Sequence, residues 1–416
     1  MLRSGSRRTT PLPARGAEDT GAPSRPRVRW EIRLVASALG LLLAMVLLET
    51  GLRTLTAFGL IHVPRPLGRD DPFWDARHPL FGVWHHPRTT ATHGTACFKV
   101  RYRTNSLGAR DVEHAQRAER PRVLALGDSY LEGWGVDQES RLTDLLEQKS
   151  GIEVMNLAMS HFGTYQELLA YREFGPRFEH QGVLVGVLPM NDFYDLDLAV
   201  ARRSPGYMYR YRPYLDGTFP AYHRVDYREP AARRFLRHES AAFNAVAWAW
   251  YALAGRPEDS FDRPPAFAAP SGIVHSFYYD YTLREFLLLR YCLEQIVAEA
   301  HGRPVLVVLL PAPPDFPRYA QSGPEPPPLA RELDAIGQTH GFRVVDLLPE
   351  MARRSSDWSE YFFTCDYHWN ERGHEVAAEI LNARLREALP APPAAGEHRD
   401  GVRTAIGLRP PKSPPH

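Results

Sequence analysis

Five short apolar runs, each followed by a stretch of helical periodicity, constrain the fold of this chain more than any other feature. They are RVLALG at 122–127, EVMNLA at 153–158, VLVGVL at 183–188, VLVVLL at 305–310 and RVVDLL at 343–348. Runs so rich in Val and Leu, with little polar alternation, predict strands covered on both faces, as in a parallel sheet between helices. We therefore predict an α/β domain over residues 121–388, built as a three-layer α/β/α, doubly wound parallel sheet.

One interval breaks this alternation. Residues 195–275 separate the third predicted strand from the fourth and are rich in arginine and tyrosine: Tyr207, Tyr209, Tyr211, Tyr214, Tyr222 and Tyr227. Because Tyr and Arg side chains suit carbohydrate or anionic surfaces, this insertion could be a lid that shapes a substrate groove. The alternative is a solvated insertion whose aromatic rings pack on the domain.

Another apolar segment lies near the N-terminus. Residues 34–48 carry no charge, but at 1.5 Å per residue they make only about 22 Å of helix, short of the ~30 Å hydrocarbon core. The apolar pattern continues past Glu49 and Arg53, which lie one helical turn apart and can neutralise each other. We predict a single transmembrane helix over residues 34–58. The alternatives are a cleaved signal peptide, for which no convincing cleavage site follows, and a buried core helix.

The charge is spread unevenly. The chain carries +1 overall, but residues 1–33 carry +5 and residues 389–416 carry +2, which leaves −6 for the middle. A mildly acidic body argues against nucleic-acid binding, which needs a basic face. Eight arginines before the apolar segment predict a cytoplasmic N-terminus by the positive-inside rule. The body would then be periplasmic or extracellular.

The remaining segments have weaker patterns. Residues 1–33 and 389–416 are rich in proline, arginine and small residues without periodicity, which predicts disordered tails. Residues 62–120 are polar and irregular, and a tight-turn signal lies at Asn105–Gly108. We expect an extended arm with short strands over 62–120.

The three cysteines allow one disulfide at most, so they do not form a disulfide framework. Cys292 lies in a helical apolar pattern and is expected to be a plain core residue. If a bridge forms, Cys97 and Cys365 are the expected pair.

A zinc site is the rival interpretation of the histidines near Cys97. They are His85, His86 and His93, and their spacing fits no familiar set of zinc ligands. We expect ordinary surface histidines there and no metal.

The stretch LALGDSYLEGWG at 124–135 presents a serine where a buried strand ends. In an open parallel sheet, ligands bind at the carboxyl ends of the strands. A nucleophile at Ser129 would project from a rigid strand end at the start of a helix, whose N–H groups can stabilise an oxyanion. A serine hydroxyl is a weak nucleophile alone, so this interpretation requires a base and a residue that orients it.

His368 is the candidate base, in a loop just before the last predicted helix. Asp366, two residues earlier, can hold the required imidazole tautomer. Gly163 and Asn191 follow two other strands and offer oxyanion donors, a backbone N–H close to the ligand and an amide N–H₂. His374 is expected to be structural, and two aspartates, Asp128 and Asp192, are expected to brace loops.

With these residues the sequence resembles the SGNH hydrolase superfamily, or GDSL esterases and lipases, over about 122–192 and 304–388. The matching blocks are GDSY at 127–130, with Tyr130 in place of the usual Leu, then Gly163, Asn191 and DYH at 366–368. Only Tyr367 separates Asp366 from His368, whereas the family commonly has two residues there. The form DYHW resembles membrane-associated polysaccharide O-acetyltransferases.

The resemblance implies a flavodoxin-like sheet and a serine esterase that needs no cofactor or metal. Ser129, His368 and Asp366 would be catalytic, and Ser129, Gly163 and Asn191 would form the oxyanion hole. The expected substrate is an acylated glycan or lipid of the cell envelope. The alternatives are an envelope polysaccharide O-acetyltransferase that uses the same serine, and a non-catalytic glycan-binding scaffold.

Overall fold

The computed structural model describes residues 30–58, 60–61, 73–75, 78–95, 97–199, 212–227, 231–253 and 274–389. The chain divides into two units, Met1–Val63 and Pro64–His416. Most of the two predicted tails lies outside the described residues, and so do three tyrosines of the insertion: Tyr207, Tyr209 and Tyr211.

The first unit contains a long helix, α1 (Trp30–Ala57), with 28 residues. At 1.5 Å per residue it is about 42 Å long, more than a ~30 Å hydrocarbon core requires, and its mean hydropathy reaches 2.1. Glu49 and Arg53 form the expected ion pair at 2.6 Å. The helix begins at Trp30, so the last residues of the predicted tail are helical. Its length and composition suit a membrane span, although a signal sequence has the same properties.

The second unit begins with two small antiparallel pairs. The first joins β1 (Trp74–Asp75) to β2 (Trp84–His85), and the second joins β3 (Thr90–Gly94) to β4 (Lys99–Arg103). Burial alternates along β4, where Val100 and Tyr102 are buried between exposed neighbours. Aromatic side chains of this segment belong to the same hydrophobic core as the main sheet. The short strands expected in the arm are therefore present and packed.

The predicted tight turn follows β4. The Asn105 side-chain oxygen accepts the N–H groups of Leu107 and Ala109, at 3.0 and 3.1 Å. Gly108 has φ +85°, and a Cβ there would lie 2.5 Å from the carbonyl oxygen of His85. Only glycine fits this turn, because both the left-handed backbone and the close approach exclude a side chain.

The main sheet has five parallel strands: β5 (Arg122–Leu126), β6 (Glu153–Asn156), β7 (Gly182–Val187), β10 (Val305–Leu309) and β11 (Phe342–Asp346). Their order is β11-β10-β7-β5-β6. Every residue of β5, β7 and β10 is buried, which explains the continuous apolar runs. The order reverses between β5 and β7, so the carboxyl ends of these two strands mark the switch point where α/β folds bind ligands.

The helices of the second unit are α2 (Ser129–Glu132), α3 (Leu142–Ser150), α4 (Thr164–Phe174), α5 (Pro189–Leu196), α6 (Ala231–Glu239), α7 (Ala241–Leu253), α8 (Leu283–Glu299), α9 (Asp315–Ser322), α10 (Pro328–His340), α11 (Leu347–Arg354) and α12 (Glu371–Ala388). Contacts group α3, α9, α11 and α12 in one set, and α4, α5, α8 and α10 in another. These sets form the two outer layers of the predicted α/β/α fold. Leu389, expected in the C-terminal tail, is buried after α12.

Side chains define where the two longest of these helices begin. Thr282 and Glu285 form a capping box at α8, since the Thr282 hydroxyl accepts the Glu285 N–H and the Glu285 carboxylate accepts the Thr282 N–H. At α12 the Asn370 side chain accepts the N–H groups of Arg372 and Gly373. The α12 cap lies just after the loop that carries Asp366 and His368, so it fixes where that loop ends.

The insertion between β7 and β10 contains a hairpin, β8 (Arg212–Thr218) with β9 (Ala221–Tyr227), and the helices α6 and α7. Tyr214 is 1% exposed, and the Tyr222 ring lies 5.1 Å from that of Tyr291 on α8. Gln166 on α4 donates its side-chain N–H to the Pro213 carbonyl at 2.7 Å. Tyr222 therefore packs on the domain, as the second interpretation of the insertion expected, whereas Tyr214 is buried against Leu198 and Val225 of the insertion itself.

Candidate active site

Ser129 is the first residue of α2, directly after the turn that ends β5. The Asp128 side chain caps the helix by accepting the Tyr130 N–H at 2.9 Å. A Cβ on Gly127 would lie 2.8 Å from Leu131, so the sharp turn from strand to helix requires glycine. The helix has only one turn, so its dipole is smaller than the sequence suggested, and any oxyanion stabilisation must come from local N–H groups.

The structure brings Ser129, His368 and Asp366 together across 239 positions of sequence. Ser129 Oγ lies 2.8 Å from His368 Nε2. His368 Nδ1 lies 2.5 Å from Asp366 Oδ1, and the same oxygen accepts the His368 backbone N–H at 3.1 Å. With the Nδ1 proton on the carboxylate side, Nε2 is free to accept the serine proton. The arrangement can activate a serine hydroxyl as a nucleophile.

The second Asp366 oxygen has its own donor. Trp134 Nε1 donates to Asp366 Oδ2 at 3.2 Å. Burial alone would raise the pKa of Asp366, but the hydrogen bonds and charge of His368 and the Trp134 N–H outweigh it and lower the pKa to about 2. Asp366 is therefore ionised at neutral pH and can hold the His368 ring by charge as well as by geometry.

The two other predicted oxyanion donors lie at the ends of neighbouring elements. Gly163 caps α4, and its N–H is donated to the Gln166 side chain at 3.1 Å. Asn191 on α5 is 8% exposed and donates one amide N–H to Asp128 Oδ2 at 3.0 Å. Its second amide proton is available for another acceptor. The catalytic and oxyanion roles of the site residues stay predictions.

Similarity to known proteins assigns the family. The profile of the GDSL-like Lipase/Acylhydrolase family matches residues 125–376, which begin within β5 and end within α12. The chain belongs to this family. The matched residues include every predicted site residue.

Three solved structures are examples of proteins to which this chain is similar. A lipase/acylhydrolase from Enterococcus faecalis is 14% identical over 66% of this chain and 100% of its own, with a TM-score of 0.35. The esterase EstA from Pseudoalteromonas sp. is 12% identical over 64% and 97%, with a TM-score of 0.32. A carbohydrate esterase family 2 enzyme with a carbohydrate binding domain, from Corynascus thermopiles, is 13% identical over 67% and 68%, with a TM-score of 0.35. No curated protein matches the chain.

The two aspartates that were expected to brace loops do so. Asp192 Oδ1 accepts the N–H and hydroxyl of Thr164, and Asp192 Oδ2 accepts the Leu188 N–H at 2.8 Å. Burial raises the pKa of Asp192 to about 7 despite these donors. His374 is also structural, as expected. It is 1% exposed, and its Nδ1 accepts the Leu142 N–H at 3.2 Å.

The expectation of ordinary surface histidines in the arm was wrong for His93, which is half-buried, and for His85. The His85 side chain is fully buried, and Nε2 lies 3.0 Å from Glu132 Oε1 on α2. Burial would raise the pKa of Glu132, but His85, Arg110 and the Ser160 hydrogen bond outweigh it and lower the pKa to about 2. Among the described residues, no group of three or more His, Cys, Asp or Glu side chains is placed to hold a metal ion.

Sequence reasoning missed Glu132, although it links three parts of the site. Its Oε2 accepts the Ser160 N–H at 2.5 Å and the Ser160 hydroxyl, while its Oε1 faces His85. His161, which follows Ser160, has φ +71°, an uncommon backbone conformation for a residue with a side chain. Glu132 thus holds the loop beside the Trp134 and His368 rings. Its partners are distant in sequence, so local pattern gave no signal of its role.

The predicted disulfide joins the arm to the loop of the candidate base. Cys97, after β3, is bonded to Cys365, whose neighbour is Asp366, and the Cα atoms are 5.8 Å apart. Cys292 is a free, buried thiol, as expected for a core residue.

Proposed function

We propose that this chain is a serine esterase that hydrolyses carboxylic esters through an acyl-enzyme, with Ser129 as nucleophile, His368 as base and Asp366 as its orienting carboxylate. One observation carries the proposal: the continuous contact from Ser129 Oγ to His368 Nε2, at 2.8 Å, and from His368 Nδ1 to Asp366 Oδ1, at 2.5 Å. Nucleophile, base and orienting group each lie within hydrogen-bond reach of the next.

The reaction has two halves. In the first, His368 Nε2 takes the Ser129 proton as Oγ attacks the ester carbonyl, and it then returns that proton to the leaving alcohol as the carbon–oxygen bond breaks. In the second, a water molecule gives its proton to His368 and attacks the acyl-serine. The carboxylic acid leaves, and the proton returns to Ser129 Oγ.

The tetrahedral intermediates require donors for the oxyanion. We propose the Ser129 N–H, the Gly163 N–H and the free amide proton of Asn191. The Gly163 N–H would exchange the Gln166 oxygen for the oxyanion, a change of one hydrogen bond for another. Recruiting this donor requires the buried Gln166 side chain, which also donates to the Pro213 carbonyl, to release the Gly163 N–H.

The proposed substrate class is an acylated glycan or lipid of the cell envelope, with O-acetyl esters as the preferred group. This part rests on topology. Helix α1 suits a membrane span, the +5 charge before it favours an outward-facing body, and a disulfide is typical of oxidising compartments. The body would then meet esters on envelope molecules at the surface of the bilayer.

A second candidate is an O-acetyltransferase, in which a sugar hydroxyl replaces water in the second half-reaction. The DYHW pattern at 366–369 favours it. Trp369, however, is fully buried and its ring packs 5.0 Å from that of Tyr130. The tryptophan therefore supports the site from beneath, which is compatible with either acceptor.

The test is hydrolysis of a short-chain nitrophenyl ester by the full chain in detergent. We expect turnover that Ser129→Ala lowers by about 10⁴-fold or more, because the nucleophile is gone. Ser150→Ala, on α3 away from the site, should match the unaltered protein. A fluorophosphonate should label Ser129.

Other results would redirect the assignment. Turnover that appears only with an acceptor sugar would select the transferase. Retained activity in Ser129→Ala would refute the nucleophile. Glycan binding by both proteins with turnover by neither would support the non-catalytic scaffold.

A further inference from the structure

The loop that carries Asp366 and His368 has little regular structure of its own. It lies between the short 3-10 turn Trp358–Tyr361 and α12, and a single bridge from Phe362 to Trp369 closes its base. Since only Tyr367 separates the aspartate from the histidine, Asp366 Oδ1 serves both the ring and the backbone N–H of His368. This leaves the Tyr367 carbonyl and Asp366 Oδ2 facing elsewhere.

Tyr130, the residue after the nucleophile, satisfies the first of these groups. Its hydroxyl donates to the Tyr367 carbonyl at 2.6 Å, and its ring lies 5.3 Å from the His368 ring. The side chain is 2% exposed. Burial raises the pKa of Tyr130 well above its usual range, so the hydroxyl is protonated and can donate at neutral pH.

Trp134 satisfies the second group. Its indole N–H donates to Asp366 Oδ2 at 3.2 Å, and its ring stacks on the His368 ring at 5.3 Å with an angle of 29° between the planes. The indole is itself held by the arm, where the His93 ring lies 4.2 Å away and the Phe98 ring 6.3 Å away.

We propose that Tyr130 and Trp134 are positioning residues that hold the Asp366–His368 loop in register with Ser129. The inference rests on the proposed esterase function. Ser129, Tyr130 and Trp134 lie within six consecutive residues, so the segment that presents the nucleophile also grips the base and its carboxylate. A loop with a single residue between aspartate and histidine gains its order from these two aromatic donors.

Trp134→Phe is the first test, because it keeps a ring against His368 and removes the N–H. We expect kcat for the nitrophenyl ester to fall about 10-fold, with KM within about 2-fold, since a ring is kept beside His368 and only an N–H that donates to Asp366 is lost. Asp366 without this donor attracts the protonated imidazole more strongly, so the acidic limb of kcat/KM against pH should move up by about 0.5 pH unit.

The matched control is Trp84→Phe. The Trp84 indole N–H donates to the Leu107 carbonyl at 2.8 Å, in a buried part of the arm away from the Ser129–His368 pair. This variant loses a comparable hydrogen bond, and it should keep kcat and the acidic limb of the unaltered protein. An equal change in Trp84→Phe would mean that Trp134 acts only through general stability, and the proposal would fail.

Tyr130→Phe tests the second donor. It removes a hydrogen bond to an uncharged carbonyl, so we expect kcat to fall about 5-fold. The acidic limb of kcat/KM against pH should not move. Tyr361→Phe is its control, because the buried Tyr361 hydroxyl donates to the Met351 carbonyl at 3.1 Å and should leave kcat unchanged. Normal kcat in Tyr130→Phe would remove Tyr130 from the proposal.

The acidic limb of kcat/KM against pH can be assigned to His368, because the titratable groups around it keep their charge states over that pH range. Three other histidines face it: His93 from β3, His161 from the loop after β6 and His374 from α12. Burial lowers their pKa values to about 4, 3 and 3, so they are neutral where an imidazole normally titrates. The nearby carboxylates Asp366 and Glu132 have pKa values lowered to about 2 and stay ionised.

A readout without turnover separates this proposal from the esterase proposal. In the full chain with ¹³C-labelled histidine, the His368 ring signal, assigned by its loss in His368→Gln, can be titrated by NMR. Its midpoint should rise in Trp134→Phe and not in Trp84→Phe, even if no ester is hydrolysed. An unchanged midpoint in Trp134→Phe would overturn the positioning role, whatever the activity of the protein.

Discussion

At the scale of single residues, the interior contains ionisable groups that stay neutral. His374 on α12 is fully buried, and burial, followed by the nearby Arg110, lowers its pKa to about 3. In the unfolded chain a histidine has a pKa of about 6.5. Between these values the unfolded chain binds a proton at this position that the folded protein does not.

The sign of the resulting pH dependence follows from this difference. The contribution of a neutral His374 to stability is fully present above pH 6.5 and is lost as the pH falls towards 3. His374→Asn does not titrate, yet its side-chain oxygen can still accept the Leu142 N–H. Between pH 7 and pH 5, the free energy of unfolding should fall by about 2 kcal/mol less in the variant than in the unaltered protein.

Urea unfolding at pH 7 and 5 measures this difference. His223→Asn, on the exposed face of β9, serves as the control and should lose as much stability as the unaltered chain. Equal losses in His374→Asn and the unaltered chain would show that His374 does not remain neutral in the folded protein.

What the sequence could reveal about individual residues depended on the range of their contacts. Ser129, His368 and Asp366 were predictable because each ends or precedes an element at the same edge of the sheet. The partners of Trp134 and Glu132 were not, since a tryptophan or glutamate after a strand carries no sign of which distant atom it will meet. The contact of His85 with Glu132 spans 47 positions and depends on how the arm packs, which no local pattern encodes.

At the scale of elements, the predicted strands agree with the observed ones to within two residues at each end. Strands buried on both faces leave a continuous apolar signal, so β5, β7 and β10 were especially clear. The hairpin β8–β9 was not predicted, because its residues are a mixture of tyrosine, arginine and aspartate without a regular apolar face. Its position is fixed by contacts with α4 and α8 that the sequence does not show.

The disulfide between the arm and the last loop gives a prediction about these elements. Replacing Cys97 and Cys365 together with serine should lower the free energy of unfolding by about 2–5 kcal/mol, because the bond restricts a very long loop of the unfolded chain. Urea unfolding with and without dithiothreitol measures the effect. The reductant should destabilise the unaltered protein and leave the double variant unchanged, and indifference of both would contradict a stabilising bridge.

At the scale of the whole molecule, the fate of α1 tests the proposed topology. If α1 is a retained anchor, the protein should stay in the membrane fraction after carbonate extraction with its full mass of 47.2 kDa. Cleavage after the apolar segment would instead release a chain lighter by about 6 kDa. Mass spectrometry of the protein from cell membranes distinguishes the two outcomes, and a light, soluble product would remove the anchor from the proposed topology.

The Cys97–Cys365 bond also determines how a pull on the chain is transmitted. All five strands of the main sheet, and Ser129 with them, lie inside the covalent ring of 268 positions that this bond closes. Tension applied through a membrane tether at the N-terminal end would unravel the arm as far as Cys97 and then pass across the sulfur–sulfur bond to Cys365. The sheet lies outside that load path, so such a pull would strip the arm while the strands and the nucleophile remain mechanically unloaded.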